Sequence, residues 1–200
     1  MKPAETGKSY DKIADWWQAY HKDSDYGMAQ IRRAISYCKN KGVALDVGCG
    51  SGGRITSELL REGFEVTGLD VSKKMIELAL EQHPEVTFMV QDICSWEPIR
   101  TYNLIIAWDS IFHVPLAEQP AVVAKLCNAL QPDGILIYTF GDATGEHTSE
   151  WLNDTFYYSS IGITQNLRVI LENNCQPRHL EFDQFPQNHV YLIAQITSKI

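Results

Sequence analysis

The sequence predicts an α/β fold with a doubly wound, mostly parallel sheet and an antiparallel C-terminal hairpin strand. Short apolar runs, typical of buried strands, alternate with longer segments whose apolar residues recur at helical spacing. The first run ends in a glycine cluster, and the last two runs are separated by a turn that contains Pro and Asn. Such alternation favours a parallel sheet covered on both faces. Ligands of these sheets bind where the strands end, so strand-closing residues are the first site candidates.

Two amphipathic helices are predicted before the first strand. Apolar residues at helical spacing define them: Tyr10, Ile13, Trp17 and Tyr20, then Met28, Ile31, Ile35 and Cys38. We expect residues 1–41 to form a helical cap on a core of residues 42–200, together one domain. Two helices without an intervening strand suit either packing at the sheet edge or a lid over a pocket.

The first half of the core is predicted to contain three strands and two helices. Apolar runs indicate strands at 43–47, 65–69 and 86–90, the second of which closes at Asp70. A helix is expected at 51–61. Ser72 is the expected cap of the next helix, whose apolar residues are Met75, Ile76, Ala79 and Leu80.

The second half continues the alternation and ends in a hairpin. Strands are expected at 103–108 and 135–140, with a helix at 117–130 between them and Pro120 in its first turn. Residues 141–160 are expected to form a long loop that contacts substrate. A further helix is predicted around 163–171. The hairpin strands are expected at 179–185 and 190–196, with a turn at 186–188.

The composition of the chain limits the classes of partner that we expect it to bind. The formal net charge of −8 disfavours a surface for nucleic acid or anionic lipid, which needs clustered Lys and Arg. The five cysteines are scattered without a C-x-x-C pair, which indicates reduced thiols in a cytoplasmic protein and no zinc site. Glu146-His147 could supply half of a metal site, but no second cluster joins it, so we expect no metal. We expect a small-molecule substrate, no nucleic-acid or membrane partner, and a monomer or homodimer.

The strongest local signal is the glycine cluster at 45–53, which follows a predicted strand and opens a helix. Glycine lets the backbone approach a ligand closely, and a helix N terminus presents free N–H groups. Gly48, Gly50 and Gly53 also fit the G-x-G-x-x-G pattern of dinucleotide-binding proteins, so the loop alone leaves the ligand open.

Carboxylates at the strand ends help to distinguish two ligands that such a loop can bind, a dinucleotide and S-adenosylmethionine. Asp46 precedes the glycines, where it would repel a pyrophosphate but suits the positive amino-acid end of S-adenosylmethionine. Asp70 closes the next strand, where a carboxylate can bind a ribose diol of either ligand. Asp92 and Ile93 close the third strand, where an acid can accept a hydrogen bond from the adenine amino group.

With these motifs, the chain resembles the class I, Rossmann-like S-adenosylmethionine-dependent methyltransferases, particularly small bacterial ones that act on small molecules. The matching stretches are 45–53, 65–75, 90–93, 108–115 and 130–140. The resemblance implies a seven-stranded sheet whose last strand is antiparallel. It also implies S-adenosylmethionine as methyl donor and S-adenosylhomocysteine as product.

The resemblance further implies roles for individual residues. Gly48, Cys49 and Gly50 would line the methionine part of the cofactor, with Asp46 nearby, and Asp70 would hold the ribose. The adenine would lie between Val71 and Met75, with its edge at Asp92 and Ile93. Tyr10 belongs to a segment that resembles the one covering the cofactor in this family, and Trp108 would lie beside the reacting methyl group.

Two residues are candidates for the base that an acceptor with an ionisable proton would need. His113 follows the fourth strand, and its ordinary pKa suits proton transfer near neutrality. An equally open interpretation is that His113 holds its loop by a hydrogen bond. Asp109 is the alternative base, or the residue that positions the acceptor.

Two other functions remain open at the level of sequence. A nicotinamide-dependent oxidoreductase is compatible with the glycine loop and Asp70, although no tyrosine–lysine pair is evident. A non-catalytic cofactor-binding module on the same fold is the third possibility, because a fold does not guarantee an activity.

Overall fold

The computed structural model describes residues 1–184 and 186–197 of the 200-residue chain. The helices are α1 (Pro3–His21), α2 (Met28–Tyr37), α3 (Arg54–Arg61), α4 (Lys73–Gln82), α5 (Gln119–Asn128) and α6 (Gly162–Glu172). The strands are β1 (Val43–Val47), β2 (Glu65–Asp70), β3 (Thr87–Val90), β4 (Tyr102–Ala107), β5 (Leu130–Gly141), β6 (Thr144–Trp151), β7 (Asp154–Ile161), β8 (Cys175–Phe182) and β9 (His189–Ile196).

Seven strands form one sheet in the order β3-β2-β1-β4-β5-β9-β8. β9 runs antiparallel to both of its neighbours, whereas β1 to β5 are parallel. This confirms the predicted mostly parallel sheet with an antiparallel C-terminal hairpin strand. The strand order reverses between β1 and β4, which are adjacent, so the chain leaves these two strands in opposite directions and opens a crevice at their carboxyl ends.

The central strands are buried on both faces. All five residues of β1 are buried, and alternate residues contribute to different apolar clusters: Ala44 packs with Ile31 of α2, and Leu45 packs with Leu126 of α5. A strand covered on both faces needs apolar residues without alternation. Asp46 is the exception within this run, which marks it as a residue with a different role.

The N-terminal helices cover different parts of the sheet. Asp11 fixes α1 to the start of α4, because its carboxylate accepts hydrogen bonds from the Ser72 hydroxyl (2.6 Å) and the Lys74 N–H (3.0 Å). α2 packs its apolar residues on the sheet, and Arg32 pairs with Glu58 of α3 at 2.7 Å. The lid over the strand ends is therefore mostly α1, and α2 is mainly a packing helix.

The prediction of a loop at residues 141–160 is wrong. β6 and β7 form a separate antiparallel hairpin across these residues. Leu152 and Asn153 connect the strands with φ of 50° and 61°, as in a two-residue hairpin turn of type I′. Every residue of β6 but the last is exposed, so this strand lacks the apolar alternation on which strand prediction depends.

Several predicted boundaries also differ. α3 begins at Arg54 and not at 51, because Gly50 and Gly52 adopt left-handed φ values of 55° and 69°. α5 is shorter than predicted, although Pro120 does lie in its first turn. β5 begins at Leu130, before the predicted start.

The first hairpin strand is displaced from its predicted position. β8 begins at Cys175 and includes Pro177, which an edge strand tolerates because its N–H side needs no partner. β8 ends at Phe182, and Phe185, the predicted end, lies outside the described residues. Within the described ranges, every helix is too short or too polar to traverse a lipid bilayer.

Candidate active site

A cavity of about 600 Å³ lies at the carboxyl ends of β1, β2 and β4, beneath α1. The sequence-predicted residues that line it are Tyr10, Asp46, Gly48, Cys49, Gly50, Asp70, Val71, Met75, Ile93, Trp108, Asp109 and His113. Asp92 is not among the lining residues. The structure thus brings together residues from five parts of the chain at the switch point of the sheet.

The glycine loop is tightly packed on one side and open on the other. Gly48 has φ of 73°, and a Cβ there would lie 2.3 Å from the Cβ of Ser110, so only glycine fits. The N–H groups of Gly48 and Cys49 both donate to the carbonyl of Leu69, at 2.7 and 3.0 Å. A Cβ on Gly50 would meet nothing closer than 3.8 Å, so this side leaves room for a ligand against the backbone.

Asp70 connects the end of β2 to the glycine loop. One carboxylate oxygen accepts the N–H of Gly50 (2.9 Å), and the other accepts the N–H of Ser72 (2.8 Å). Burial raises the pKa of Asp70, and these backbone donors oppose the rise by stabilising the charged form. Each oxygen keeps lone-pair capacity for a ligand, and its direction is fixed before any ligand binds.

Asp46 is the most isolated carboxylate of the cavity. Its side chain is buried, and the hydrogen bond from the Thr56 hydroxyl is 3.2 Å long. Burial raises the pKa of Asp46 to about 7. A buried carboxylate with so little solvation is stabilised by a neighbouring cation, which suits the ammonium end of an amino acid.

The turn after β3 forms a wall of the cavity. The residues on either side of Asp92 line this wall, and Asp92 itself does not. The Asp92 carboxylate accepts the N–H of Cys94 at 2.8 Å, so it shapes its own turn, while Gln91 and Ile93 line the cavity. The Lys125 ammonium on α5 donates to three backbone carbonyls of this turn, those of Ile93, Cys94 and Trp96. Lys125 therefore supports this wall of the cavity, a role that no sequence pattern indicated.

Asp109 directly follows Trp108 at the end of β4, and its backbone is strained. Its φ is 51°, in the left-handed region that a non-glycine residue rarely adopts. Its N–H donates to the Thr139 hydroxyl on β5 at 2.8 Å, which holds this conformation. Such strain is common where a side chain must be aimed at a ligand, and Asp109 lines the cavity.

His189, which no sequence pattern indicated, holds the Asp109 carboxylate in place. Its Nε2 lies 2.8 Å from an Asp109 carboxylate oxygen, and its Nδ1 hydrogen-bonds to the buried Asp183. Burial alone lowers the pKa of His189, but the two carboxylates outweigh it and raise the pKa above its ordinary value. Sequence separation hid this cluster, since His189 and Asp183 lie at the start of β9 and in the loop before it.

His113 joins three parts of the structure. Its Nδ1–H donates to the carbonyl of Tyr157 on β7 (2.6 Å), and its Nε2 accepts from the Tyr10 hydroxyl on α1 (2.9 Å). Because a carbonyl only accepts, the imidazole must carry its proton on Nδ1. Burial lowers the pKa of His113 to about 4. This geometry favours the interpretation that His113 holds the lid and the hairpin in place.

The hairpin residues that suggested half of a metal site make other contacts. Glu146 accepts a hydrogen bond from the Tyr157 hydroxyl, and the His147 ring stacks on Tyr158 at 5.3 Å between ring centres. In residues 1–184 and 186–197, no group of three His, Cys, Asp or Glu side chains is arranged to hold a metal ion.

Comparison with known proteins shows that the chain is similar to methyltransferases. Residues 44–134 match a family model described as a methyltransferase domain. Over this segment, slightly less than half of its length, the chain is similar to methyltransferases. It is 26% identical to a ubiquinone biosynthesis O-methyltransferase of Rickettsia typhi, over 87% of this chain and 80% of that protein. A trans-aconitate 2-methyltransferase of Rhizobium leguminosarum is 32% identical, over 52% of this chain and 40% of that protein.

Solved methyltransferases share the fold of this protein. A magnesium protoporphyrin IX methyltransferase from Synechocystis, crystallised with S-adenosylhomocysteine, superposes with a TM-score of 0.74 at 19% identity, over 95% of this chain and 97% of that one. An S-adenosylmethionine-dependent methyltransferase from Clostridium acetobutylicum superposes with a TM-score of 0.72 at 12% identity, over 95% and 100%. At these identities, the likeness shows the fold.

The similar proteins bear on the question that the glycine loop left open. They are named methyltransferases, which favours S-adenosylmethionine over a nicotinamide cofactor as the ligand of this loop. The backbone of the loop can bind either cofactor, so the choice between them depends on the whole set of residues at the strand ends.

Buried polar atoms around the cavity fit a polar ligand of this kind. Four of them find no hydrogen-bond partner among the described residues: the Thr6 and Ser110 hydroxyls, His21 Nδ1 and Trp108 Nε1. Buried polar groups are nearly always paired in native proteins, so a cluster of orphans around one cavity indicates a site completed by a ligand. The donors and carboxylates together match a ligand that carries a ribose and a zwitterionic amino acid.

Proposed function

We propose that the protein is an S-adenosylmethionine-dependent methyltransferase and that it methylates a small-molecule acceptor, which binds beside Asp109 at the end of β4. One observation carries the proposal: a single cavity joins the glycine loop, the carboxylates of Asp46 and Asp70, and the strained Asp109. Its volume lies within the range of small-molecule sites. The names of the relatives, which concern ubiquinone biosynthesis and trans-aconitate, and the net charge of −8 also support a small acceptor over a nucleic acid.

The residues of the first two strand ends would hold the sugar and amino-acid parts of the cofactor. The backbone at Gly48, Cys49 and Gly50 would pack against the methionine part, with Asp46 at its ammonium group. Asp70 would accept hydrogen bonds from the ribose hydroxyls, for which its backbone donors already orient it.

Apolar side chains would enclose the adenine. Met75 is buried and Val71 is partly buried, and both line the cavity with Ile93. Asp92 would act mainly through the turn that it shapes, because its carboxylate accepts its own turn's N–H. Tyr10 would close the site from α1, where the hydrogen bond to His113 fixes it.

The chain itself must orient the acceptor and exclude water, while the cofactor supplies a methyl group on a good leaving group. Trp108 would form the wall beside the acceptor. The Asp109 carboxylate would orient the acceptor and accept its proton where the nucleophile loses one, with His189 holding the carboxylate in place. His113 would act through Tyr10, since both of its ring nitrogens are engaged.

Methyl labelling of a cell extract tests this proposal. The protein would be incubated with methyl-labelled S-adenosylmethionine and with an extract separated into small-molecule, RNA and protein fractions. We expect label to enter the small-molecule fraction and to be absent with the Asp70→Ala variant. Label that enters only RNA or protein would refute the small-molecule acceptor.

A further inference from the structure

A second cavity of about 600 Å³ lies at the carboxyl end of β5, between the β6–β7 hairpin and the start of β9. It adjoins the cavity of the glycine loop. Asp109 lines the first cavity, and His189, whose Nε2 lies 2.8 Å from the Asp109 carboxylate, lines the second. His113 and Phe112 lie on the two sides in the same way, with ring centres 4.7 Å apart. Because ligands of such sheets bind where the strands end, the second cavity is placed to hold part of an acceptor that reacts at Asp109.

Asp142, which directly follows β5, carries an unsatisfied carboxylate oxygen at the second cavity. This oxygen, Oδ1, is buried and finds no hydrogen-bond partner in residues 1–184 and 186–197. The backbone carbonyl of Asp142 accepts the N–H of Ile163 at 3.1 Å, so the residue lies at the start of α6, where the helix dipole favours a negative charge. A buried carboxylate oxygen without a donor is costly, so its position at a cavity indicates a ligand that brings the donor.

The side-chain charges around the second cavity favour a cation. Asp142 and Glu146 contribute carboxylates, and the described residues that line the cavity include no Lys or Arg. His189 lines it as well, but its two ring nitrogens are bonded to the Asp109 and Asp183 carboxylates, which balance any charge on the ring. An anionic acceptor would therefore meet carboxylates here, whereas an ammonium group would meet its counter-ion.

The hydroxyl groups and aromatic rings of the lining agree with this preference. The hydroxyls of Thr144, Ser159 and Ser160 donate to backbone carbonyls at 2.9, 2.6 and 2.5 Å, so their protons are not available to an anion. The rings of Phe112 and Tyr158 have centres 5.6 Å apart and both line the cavity. Ring faces attract a cation that lies within about 6 Å, so rings beside a carboxylate suit an ammonium group.

We propose that the second cavity binds the methyl acceptor through an amine group that pairs with Asp142. This inference rests on the proposed function and names its substrate class. The ammonium group is the part that is recognised, and the reacting atom of the same molecule lies at Asp109. The cation is organic, because no three His, Cys, Asp or Glu side chains of the described residues are arranged to hold a metal ion.

The chemical class of the labelled product tests the inference. Small molecules from a cell extract would be incubated with methyl-labelled S-adenosylmethionine and the protein, and only labelled products absent from the Asp70→Ala reaction would be counted. These products are applied to a cation exchanger at about pH 2, where carboxylates are neutral and amines are charged. We expect the main product to be retained.

The possible outcomes separate this inference from the proposed function. A main product that is not retained lacks an amine, which would overturn the inference and leave the proposed function intact. If no labelled small molecule forms, the proposed function is contradicted, and the inference is lost with it.

Asp142→Asn tests the residue that carries the inference, since it keeps the shape of the side chain and removes its charge. At limiting acceptor, we expect product formation to fall by about 10- to 100-fold, as for a lost hydrogen bond to a charged group. The affinity for S-adenosylhomocysteine, measured by calorimetry, should stay within about twofold of the wild type, because Asp142 does not line the first cavity.

The matched control is Glu150→Gln. Glu150 lies on β6, is exposed, accepts a hydrogen bond from the Thr155 hydroxyl and does not line the second cavity. This variant removes the same charge from the same hairpin and should keep the wild-type rate. An equal loss of rate in both variants, or an unchanged rate in Asp142→Asn, would overturn the assignment of Asp142.

Discussion

At the scale of single residues, the burial of the Asp46 carboxylate lowers the stability of the fold near neutral pH. Its pKa is about 7 in the folded protein against an ordinary 3.8, because burial disfavours its charged form. Between these pH values the folded state binds more protons than the unfolded state, so the free energy of unfolding decreases as pH rises from about 4 to 7.

Asp46→Asn should remove this penalty. We expect the variant to gain stability over the wild type by about 1 kcal/mol per pH unit between pH 5 and 7, and the difference to level off above 7. Urea denaturation across this range measures it. A difference that does not change with pH would show that Asp46 is ionised in the folded protein throughout, and the same variant should bind the cofactor weakly.

His113 is a second residue whose role depends on its protonation. With a pKa of about 4 and its Nδ1–H bonded to a carbonyl, it should stay neutral between pH 5 and 8. Nitrogen NMR of the labelled imidazole would then show one fixed tautomer over this range. Titration of His113 near pH 6.5 would instead favour its role as the catalytic base.

At the scale of secondary-structure elements, α5 stabilises the turn after β3 through Lys125. The Lys125 side chain is 15% exposed, and its ammonium group donates to the carbonyls of Ile93, Cys94 and Trp96 at 3.1, 3.0 and 2.6 Å. Through this contact, α5 stabilises the turn after β3, which forms one wall of the cavity.

Lys125→Met keeps the length of the side chain and removes the donors. We expect the free energy of unfolding to fall by about 1–3 kcal/mol, because three carbonyls lose a charged partner, and the affinity for S-adenosylhomocysteine to fall with it. Denaturation and calorimetry measure the two effects. Lys73→Met is the control, since Lys73 is exposed on α4 and makes only a helical ion pair with Glu77. Similar behaviour of both variants would contradict the supporting role.

Elements with apolar periodicity could be predicted from the sequence, and elements without it could not. β1 was predicted with its observed bounds, Val43–Val47, and β2 to within one residue of its end at Asp70, because their apolar residues stand next to the glycine loop and to a polar strand end. β6 is an exposed strand that forms by pairing with β7, so no apolar pattern in its own sequence predicts it. Edge and hairpin strands depend on their partners more than on their own residues.

At the scale of the whole molecule, ligand binding should stabilise the fold. The cavity joins α1 to β1, β2 and β4, so a ligand that fills it links the lid to the sheet. At 100 times its dissociation constant, a ligand that binds only the folded state adds about 2.7 kcal/mol. For a domain of this size, S-adenosylhomocysteine should then raise the melting temperature by about 5–10 °C.

Asp70→Ala should abolish most of this shift at the same ligand concentration, because the ribose loses its acceptors and the glycine loop loses the bond from Gly50. Glu65→Ala is the matched control: it lies at the other, exposed end of β2 and pairs only with Arg100. Thermal denaturation with and without ligand measures both. An undiminished shift in Asp70→Ala would show that the ligand binds elsewhere.

The sequence by itself determined the α/β class, the glycine loop and the carboxylates that close the strands, because these depend on local apolar runs and on residues adjacent in the chain. Only the tertiary structure decided which distant groups meet there. It brought His189 and Asp183 next to Asp109 and turned the Asp92 carboxylate towards its own backbone. Side-chain contacts of this kind follow from how whole elements pack, and the identity of residues close in sequence does not specify that packing.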